Sequence, residues 1–212
     1  MRLPNLPNSL TLTRIFLVPL LVIVLLTKFE GRQIFGVPKD LVGAAIFALA
    51  SLTDWLDGYL ARRRKQITPL GQIMDPLADK LLTSAALLSL VQMELAPAWI
   101  VWVIIGRDLA VTGLRSLAYA RGVVIAASRL GKIKMVAEVV AILALILGRN
   151  DTQDQMYVLY IVGQTALWVA VVTAMLSATS YFRRFTLILS PRLADLSVPR
   201  VAHEQHGGRK AS

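Results

Sequence analysis

Four aspartates could carry the chemistry of this chain, because helical spacing would bring their carboxylates together. Asp54 and Asp57 are three residues apart, and Asp75 and Asp79 are four apart. Offsets of three and four return to the same face of an α-helix. Four carboxylates that lie close together raise one another's pKa unless cations lie between them. Such a group therefore either shares protons, as in a proton relay, or holds divalent metal ions.

Small residues beside the acids favour metal ions and a phosphate ligand over a proton relay. Gly58 and Ala61 continue the face of the first acid pair, and Arg62 comes directly after Ala61. Gly71 begins the face of the second acid pair. A nucleotide or pyrophosphate needs room against the backbone, whereas a proton relay does not. Oxygen ligands without cysteine favour Mg²⁺, with Mn²⁺ or Ca²⁺ as alternatives, and two ions suit displacement at phosphorus.

Long apolar stretches must position these acids. The chain is 56% hydrophobic and only 17% charged over 212 residues, which is not typical of a water-soluble domain. Six stretches approach the roughly 20 residues that a membrane span needs. They run over Leu10–Thr27, Leu41–Ala61, Asp75–Met93, Ala98–Ala120, Ile133–Gly148 and Met156–Phe182. We expect an all-α, six-transmembrane-helix bundle in which thirteen residues, 62–74, join the two acid-bearing helices at the cytoplasmic end.

The charge distribution predicts how the bundle is oriented. Lys and Arg number 23 against 13 Asp and Glu, a net charge of +10. If the N-terminus is cytoplasmic, most positive residues lie on the cytoplasmic side, as membrane proteins prefer, and no nucleic-acid partner is needed. Both termini are then cytoplasmic. We expect a membrane domain over residues 1–182 and a basic, mobile cytoplasmic tail over residues 183–212.

The acid motif resembles the signature of a known enzyme family. It reads Asp54-x2-Asp57-Gly58-x2-Ala61-Arg62-x8-Gly71-x3-Asp75-x3-Asp79 and matches the CDP-alcohol phosphotransferases without a gap. The resemblance implies transfer of a phosphoryl-containing group from a CDP-linked donor to an alcohol, with release of CMP. It implies that the four aspartates bind metal and that Asp79 is also the general base. Its donor-binding positions here are Asn8, Thr11, Gly58, Ala61, Arg62, Thr68 and Gly71.

A second region resembles the bacterial members of that family that make phosphatidylglycerophosphate. The similarity covers residues 105–115 and 125–132, with Asp108 where those proteins more often have Glu. Arg107 and Arg115 are eight residues apart, which places them on one helix face about 12 Å apart. Asp108 can neutralise one of them. We predict a pocket for the acceptor phosphate from Arg107, Arg115, Ser128 and Lys132; the alternative is that the arginines snorkel or form an intramembrane ion pair.

These resemblances together predict one reaction. The chain is expected to condense CDP-diacylglycerol with sn-glycerol 3-phosphate, giving phosphatidylglycerophosphate and CMP, in the inner membrane of a bacterium. Membrane lipids and a second copy of the chain, in a homodimer, are the expected partners. Alternatives are another acceptor, such as inositol phosphate, serine or phosphatidylglycerol, or an ion-coupled transporter that uses the acids as a relay.

Overall fold

The computed structural model describes residues 6–27, 33–64, 69–120, 129–148 and 154–189. Side chains are described over residues 13–27, 33–53, 78–116, 118, 130–148 and 157–179. The described chain is all-α, as predicted, apart from one short hairpin. Its elements are α1 (Leu6–Leu26), β1 (Gln33–Ile34), β2 (Val37–Pro38), α2 (Lys39–Arg64), α3 (Pro69–Gln92), α4 (Ala98–Ala120), α5 (Arg129–Leu147) and α6 (Asp154–Leu189).

The helices are longer than most of the apolar stretches that predicted them. α2 continues to Arg64 and α3 begins at Pro69, so the predicted thirteen-residue link shortens to residues 65–68. Proline suits the first helical position because no intrahelical hydrogen bond is needed there. α6 continues to Leu189, beyond the predicted end of the membrane domain, while residues 190–212 lie outside the described residues. Hydropathy underestimated the helices because a polar helix end still forms its backbone hydrogen bonds.

The helices pack around one apolar core. α1 packs against α2 and α3, α5 packs most extensively against α6, and both α2 and α3 reach α5. α4 lies between α3 and α6. Phe47, Leu87, Ile104, Ile142 and Leu167 are fully buried members of this core, one from each of α2 to α6. This shared core therefore holds α3, α4 and α5 in one packed unit.

A lysine closes the connection between α1 and α2. Phe35 and Gly36 both have positive φ, which forms the two-residue turn between β1 and β2. The ammonium Nζ of Lys39 donates hydrogen bonds to the carbonyl oxygens of Leu25 and Thr27, at 3.1 Å each. These bonds satisfy carbonyl groups that the end of α1 leaves without helical partners. Lys39 is therefore a buried cap for the end of α1.

Glycine allows α5 and α6 to approach closely. A Cβ atom built on Gly163 would lie 2.7 Å from Cγ and 2.9 Å from the backbone nitrogen of Leu145. Side chains normally keep a larger separation, and the backbone nitrogen cannot move aside cheaply. In contrast, a Cβ atom built on Gly106 in α4 would meet nothing within 4 Å. The two glycines therefore make a matched pair for testing the α5–α6 contact.

Gly163→Val is expected to lower the thermal unfolding midpoint of the detergent-solubilised protein by about 5 °C or more, since overpacking typically costs about 1–3 kcal/mol. Gly106→Ala should leave the midpoint unchanged or raise it slightly, because alanine has a higher helix propensity than glycine. Both midpoints can be measured by differential scanning fluorimetry. Equal midpoints for the two variants would contradict the close packing at Gly163.

The outer surface of the bundle is apolar. Each of the six described helices exposes large apolar side chains; Phe16 on α1 and Trp102 on α4 are 74% and 75% exposed. Water-soluble monomers rarely present so much apolar surface. Among the described residues, the segment Tyr157–Thr179 of α6 is long and apolar enough to cross a membrane, and Thr13–Leu26 is a shorter apolar segment. Membrane crossing by the other helices stays a prediction.

Candidate active site

The two acid-bearing segments lie at similar distances, measured along their helices, from the residues that join α2 to α3. α2 and α3 are joined by residues 65–68 and contact each other. Asp54 and Asp57 lie ten and seven residues before the end of α2, while Asp75 and Asp79 lie six and ten residues after the start of α3. At about 1.5 Å per residue, Asp54 and Asp79 are each about 15 Å from the link, and the other two about 10 Å. Measured along each helix, the four acids therefore lie at similar distances from the residues that join α2 to α3.

Only part of the predicted site has described side chains, namely those of Asp79, Arg107, Arg115 and Lys132. Thr68 and Ser128 lie outside the described residues. Nine further positions lie in helices whose side chains are not described there: Asn8, Thr11, Asp54, Asp57, Gly58, Ala61, Arg62, Gly71 and Asp75. Among the described side chains, no three or more His, Cys, Asp or Glu residues form a metal-binding group. The metal set and the donor-binding set therefore stay predictions.

Asp79 lies at the accessible end of a group of charged side chains. Its carboxylate is 23% exposed, and its Oδ2 atom is 3.2 Å from the ammonium Nζ of Lys80. Its backbone carbonyl accepts a hydrogen bond of 3.1 Å from the hydroxyl of Thr83, within α3. The carboxylate thus contacts a cation on one side and remains accessible to a substrate.

The charged group continues inward through Asp108 on α4. Its Oδ2 atom accepts hydrogen bonds from the ammonium groups of Lys80, at 3.1 Å, and Lys134, at 2.6 Å. Lys134 also donates a 2.6 Å hydrogen bond to Oε2 of Glu138, one turn further along α5. We call Asp79, Lys80, Arg107, Asp108, Lys134 and Glu138 the buried charge cluster. It contains three acids and three bases, so its formal charges balance.

Arg107 joins the buried charge cluster through the other oxygen of Asp108. Its Nη1 atom donates to Oδ1 of Asp108 at 3.1 Å, which confirms that Asp108 neutralises one of the two arginines on α4. Its Nη2 atom donates to the hydroxyl of Ser177 on α6. Contacts from two helices therefore fix the plane of this guanidinium, whose side chain is 11% exposed.

Arg115 and Lys132 occupy a different environment from Arg107. Both are exposed, and neither enters the buried charge cluster among the described contacts. Lys132 lies at an apolar groove on the outer face of α5 and α6, whose other lining residues are Ile133, Val136, Ala137, Val140, Ala166 and Val169. The structure thus connects Arg107 to Asp79, and it leaves Arg115 and Lys132 as exposed cations outside that connection.

Sequence reasoning missed three members of the buried charge cluster: Lys80, Lys134 and Glu138. The side chain of Lys134 is 1% exposed and paired with two acids, so this lysine is a buried partner as well as one of the chain's excess positive residues. The spacing of four residues between Lys134 and Glu138 was an available signal, since it pairs opposite charges on one helix face. An ion pair inside an apolar stretch is costly to bury and therefore deserves a functional hypothesis.

Comparison with known proteins gives a consistent result. A family model described as CDP-alcohol phosphatidyltransferase matches residues 4–176, which include every predicted site residue. The chain is 48% identical over 185 residues to the CDP-diacylglycerol–glycerol-3-phosphate 3-phosphatidyltransferase of Bacillus subtilis, covering 85% of this chain and 94% of the relative. Proteins with the same name from Rickettsia felis and Wigglesworthia glossinidia brevipalpis are 33% and 32% identical. Each alignment covers 84% of this chain, with 94% and 93% of the respective relatives.

Proposed function

Because this chain belongs to the CDP-alcohol phosphatidyltransferase family, we propose that it transfers the phosphatidyl group of CDP-diacylglycerol to sn-glycerol 3-phosphate. The products are phosphatidylglycerophosphate and CMP. This conclusion rests on one observation: the chain is 48% identical to a relative whose name states this reaction, and the alignment covers 94% of that relative. The geometry agrees, since an accessible carboxylate and an oriented guanidinium belong to the same buried charge cluster.

The proposed metal ligands are Asp54, Asp57, Asp75 and Asp79. Their positions fit a pair of Mg²⁺ ions, or Mn²⁺ in their place, because carboxylate oxygens are the ligands that hard cations prefer. This assignment is supported by the similar distances of the acids from the link between α2 and α3, two helices that contact each other. When bound, the ions would offset the negative charge on the transferring phosphoryl group and on CMP.

The proposed donor site uses the small and basic residues around these acids. Gly58, Ala61 and Gly71 leave room for the CDP group beside the backbone, and Arg62 pairs with its phosphates. Asn8, Thr11 and Thr68 supply polar groups to the same ligand. All these assignments follow from the family resemblance. The acyl chains of the donor remain in the bilayer, which is compatible with the apolar exterior of the bundle.

Asp79 is the proposed general base. It takes the proton from the free primary hydroxyl of glycerol 3-phosphate, and that oxygen attacks the lipid-side phosphorus of CDP-diacylglycerol. The bond between this phosphorus and the oxygen of CMP breaks, and CMP leaves. The motif offers no Ser, Cys or His to form a covalent intermediate, which favours a single direct displacement. The 23% exposure of the Asp79 carboxylate supports its access to the acceptor.

The proposed acceptor-phosphate site consists of Arg107, Arg115, Ser128 and Lys132. Phosphate is recognised by clustered cationic donors, and a guanidinium held in a fixed plane gives the most directional contact. Arg107 is held in this way by Asp108 and Ser177. Arg115 and Lys132 are exposed cations that can approach a phosphate.

We propose six membrane spans in the bacterial inner membrane, with both termini and the active site on the cytoplasmic side. The exposed apolar side chains on every described helix and the membrane-length segment Tyr157–Thr179 support this placement. The excess of positive residues near the proposed cytoplasmic ends supports the orientation. The homodimer stays part of the proposal on the strength of the family resemblance alone.

An acceptor panel with metal removal tests the proposed function. The purified protein, in mixed micelles with radiolabelled CDP-diacylglycerol, is given glycerol 3-phosphate, inositol phosphate, serine or phosphatidylglycerol, each with and without EDTA. We expect glycerol 3-phosphate to be the one acceptor of the four that gives CMP release. EDTA should abolish this release, and excess Mg²⁺ should restore it. Equal or faster turnover with another acceptor would overturn the acceptor assignment. Ion flux into liposomes without CMP release would support the transporter instead.

A further inference from the structure

Lys134 and Glu138 are the most buried pair of the buried charge cluster, and the reaction above gives neither of them a role. We propose that they are positioning residues, which hold Asp108 so that it fixes the spacing between Asp79 and Arg107. In the proposed function, on which this inference rests, these are the groups that contact the two ends of glycerol 3-phosphate. Asp79 takes the proton from its hydroxyl, and Arg107 binds its phosphate.

A continuous chain of ionic contacts joins the two groups that act on the acceptor. Oδ2 of Asp79 lies 3.2 Å from Nζ of Lys80, which lies 3.1 Å from Oδ2 of Asp108. Oδ1 of Asp108 lies 3.1 Å from Nη1 of Arg107. The two oxygens of one carboxylate thus connect to the two ends of the acceptor site. A rotation of the Asp108 carboxylate would disturb both ends together.

Lys134 and Glu138 fix that carboxylate from the protein interior. Lys134 makes a 2.6 Å contact with Asp108, shorter than the 3.1 Å contacts of Lys80 and Arg107. Glu138 holds the same ammonium from its other side, also at 2.6 Å. A lysine side chain is flexible, and two carboxylates restrict it to one position. Asp108 is thereby tied to α5 as well as to α3.

The exposure of the side chains distinguishes a buried end of the cluster from an accessible end. The side chains of Lys134 and Glu138 are 1% and 3% exposed, whereas those of Lys80 and Asp79 are 20% and 23% exposed. The innermost pair therefore does not contact a substrate in the accessible region. Reacting atoms must be placed to within about 1 Å, and a displacement of that size can cost about 10²-fold in rate. The innermost pair affects the reaction through the position of Asp108.

A balanced double variant tests this role. Lys134→Met together with Glu138→Leu removes one cation and one anion, so the rest of the cluster keeps balanced charges. Replacing both members of a buried ion pair by apolar residues is tolerated far better than removing one. We expect KM for glycerol 3-phosphate to rise about tenfold and kcat to fall about tenfold, because Asp108 loses its shortest contact. KM for CDP-diacylglycerol should stay within about twofold of the wild-type value.

Two further variants make the measurement decisive. Met135→Leu changes an exposed neighbour of Lys134 on α5 and should leave all three constants unchanged. If the double variant does not fold, Glu138→Gln is measured in the same way; it replaces the anion that holds the ammonium of Lys134 by a neutral amide, so Asp108 keeps its contact with Lys134 and we expect a smaller rise in KM for glycerol 3-phosphate, again with no change in KM for CDP-diacylglycerol. A wild-type KM for glycerol 3-phosphate in the folded double variant, or in Glu138→Gln, would overturn the positioning role. Absence of CMP release by the wild-type protein would instead overturn the proposed function.

Discussion

Asp79→Asn is expected to lower turnover by about 10³-fold or more, while binding of CDP-diacylglycerol changes little. The amide has the size of the carboxylate and can occupy the same place beside Lys80, but it cannot accept the proton of the acceptor hydroxyl. The donor-binding residues of the proposed site lie mainly on α1, α2 and the start of α3, so the change leaves most of them intact. CMP release measures turnover, and equilibrium binding of the labelled donor measures affinity.

A matched control separates the loss of the general base from the general effect of removing one negative charge. Glu94→Gln makes the same change from carboxylate to amide at an exposed residue just after α3, and it should retain wild-type turnover. Asp79 is also a proposed metal ligand. Turnover measured over a range of Mg²⁺ concentrations separates its role as a ligand from its role as the general base. If high Mg²⁺ restores the turnover of Asp79→Asn, Asp79 is a metal ligand and not the general base. Equal losses of turnover and of donor binding in this variant would also contradict the role of general base.

Gly58→Leu is expected to reduce CMP formation to below about 1% of wild type, while the protein still inserts into membranes. Gly58 follows Asp57 in α2, and the CDP group is proposed to lie against its backbone. A leucine side chain would fill the space that the nucleotide needs, whereas leucine is a good helix former and suits an apolar helix. Membrane fractionation measures insertion, and CMP release measures the reaction.

The controls for Gly58→Leu lie on the same helix. Ala45→Leu adds a similar side chain at an exposed position of α2 and should keep wild-type turnover. Gly58→Ala, which adds one methyl group, should give an intermediate rate. A transporter that uses the aspartates as a relay would keep its ion flux in Gly58→Leu. Full CMP formation by that variant would contradict the placement of the donor at this glycine.

The sequence predicted local features well because they depend on neighbouring residues. The apolar stretches predicted all six described helices, and α4 begins and ends where expected, at Ala98 and Ala120. α2 and α3 extend beyond their predictions at Arg64 and Pro69, since hydropathy detects apolar side chains and not the ends of backbone hydrogen bonding. The hairpin over residues 33–38 was not predicted, because two-residue strands give almost no alternation to detect.

By itself, the sequence determined the family, the all-α class and the four acids on α2 and α3, because a motif and a helix are both set by spacing along the chain. Only the tertiary structure decided how the buried charges pair. Lys80 and Lys134 lie 28 and 26 residues from Asp108, and Ser177 lies 70 residues from Arg107. These partners meet because the apolar packing of α3, α4, α5 and α6 sets the rotation of each helix. That packing energy is spread over many side chains, so no local pattern reveals which acid a buried lysine will contact.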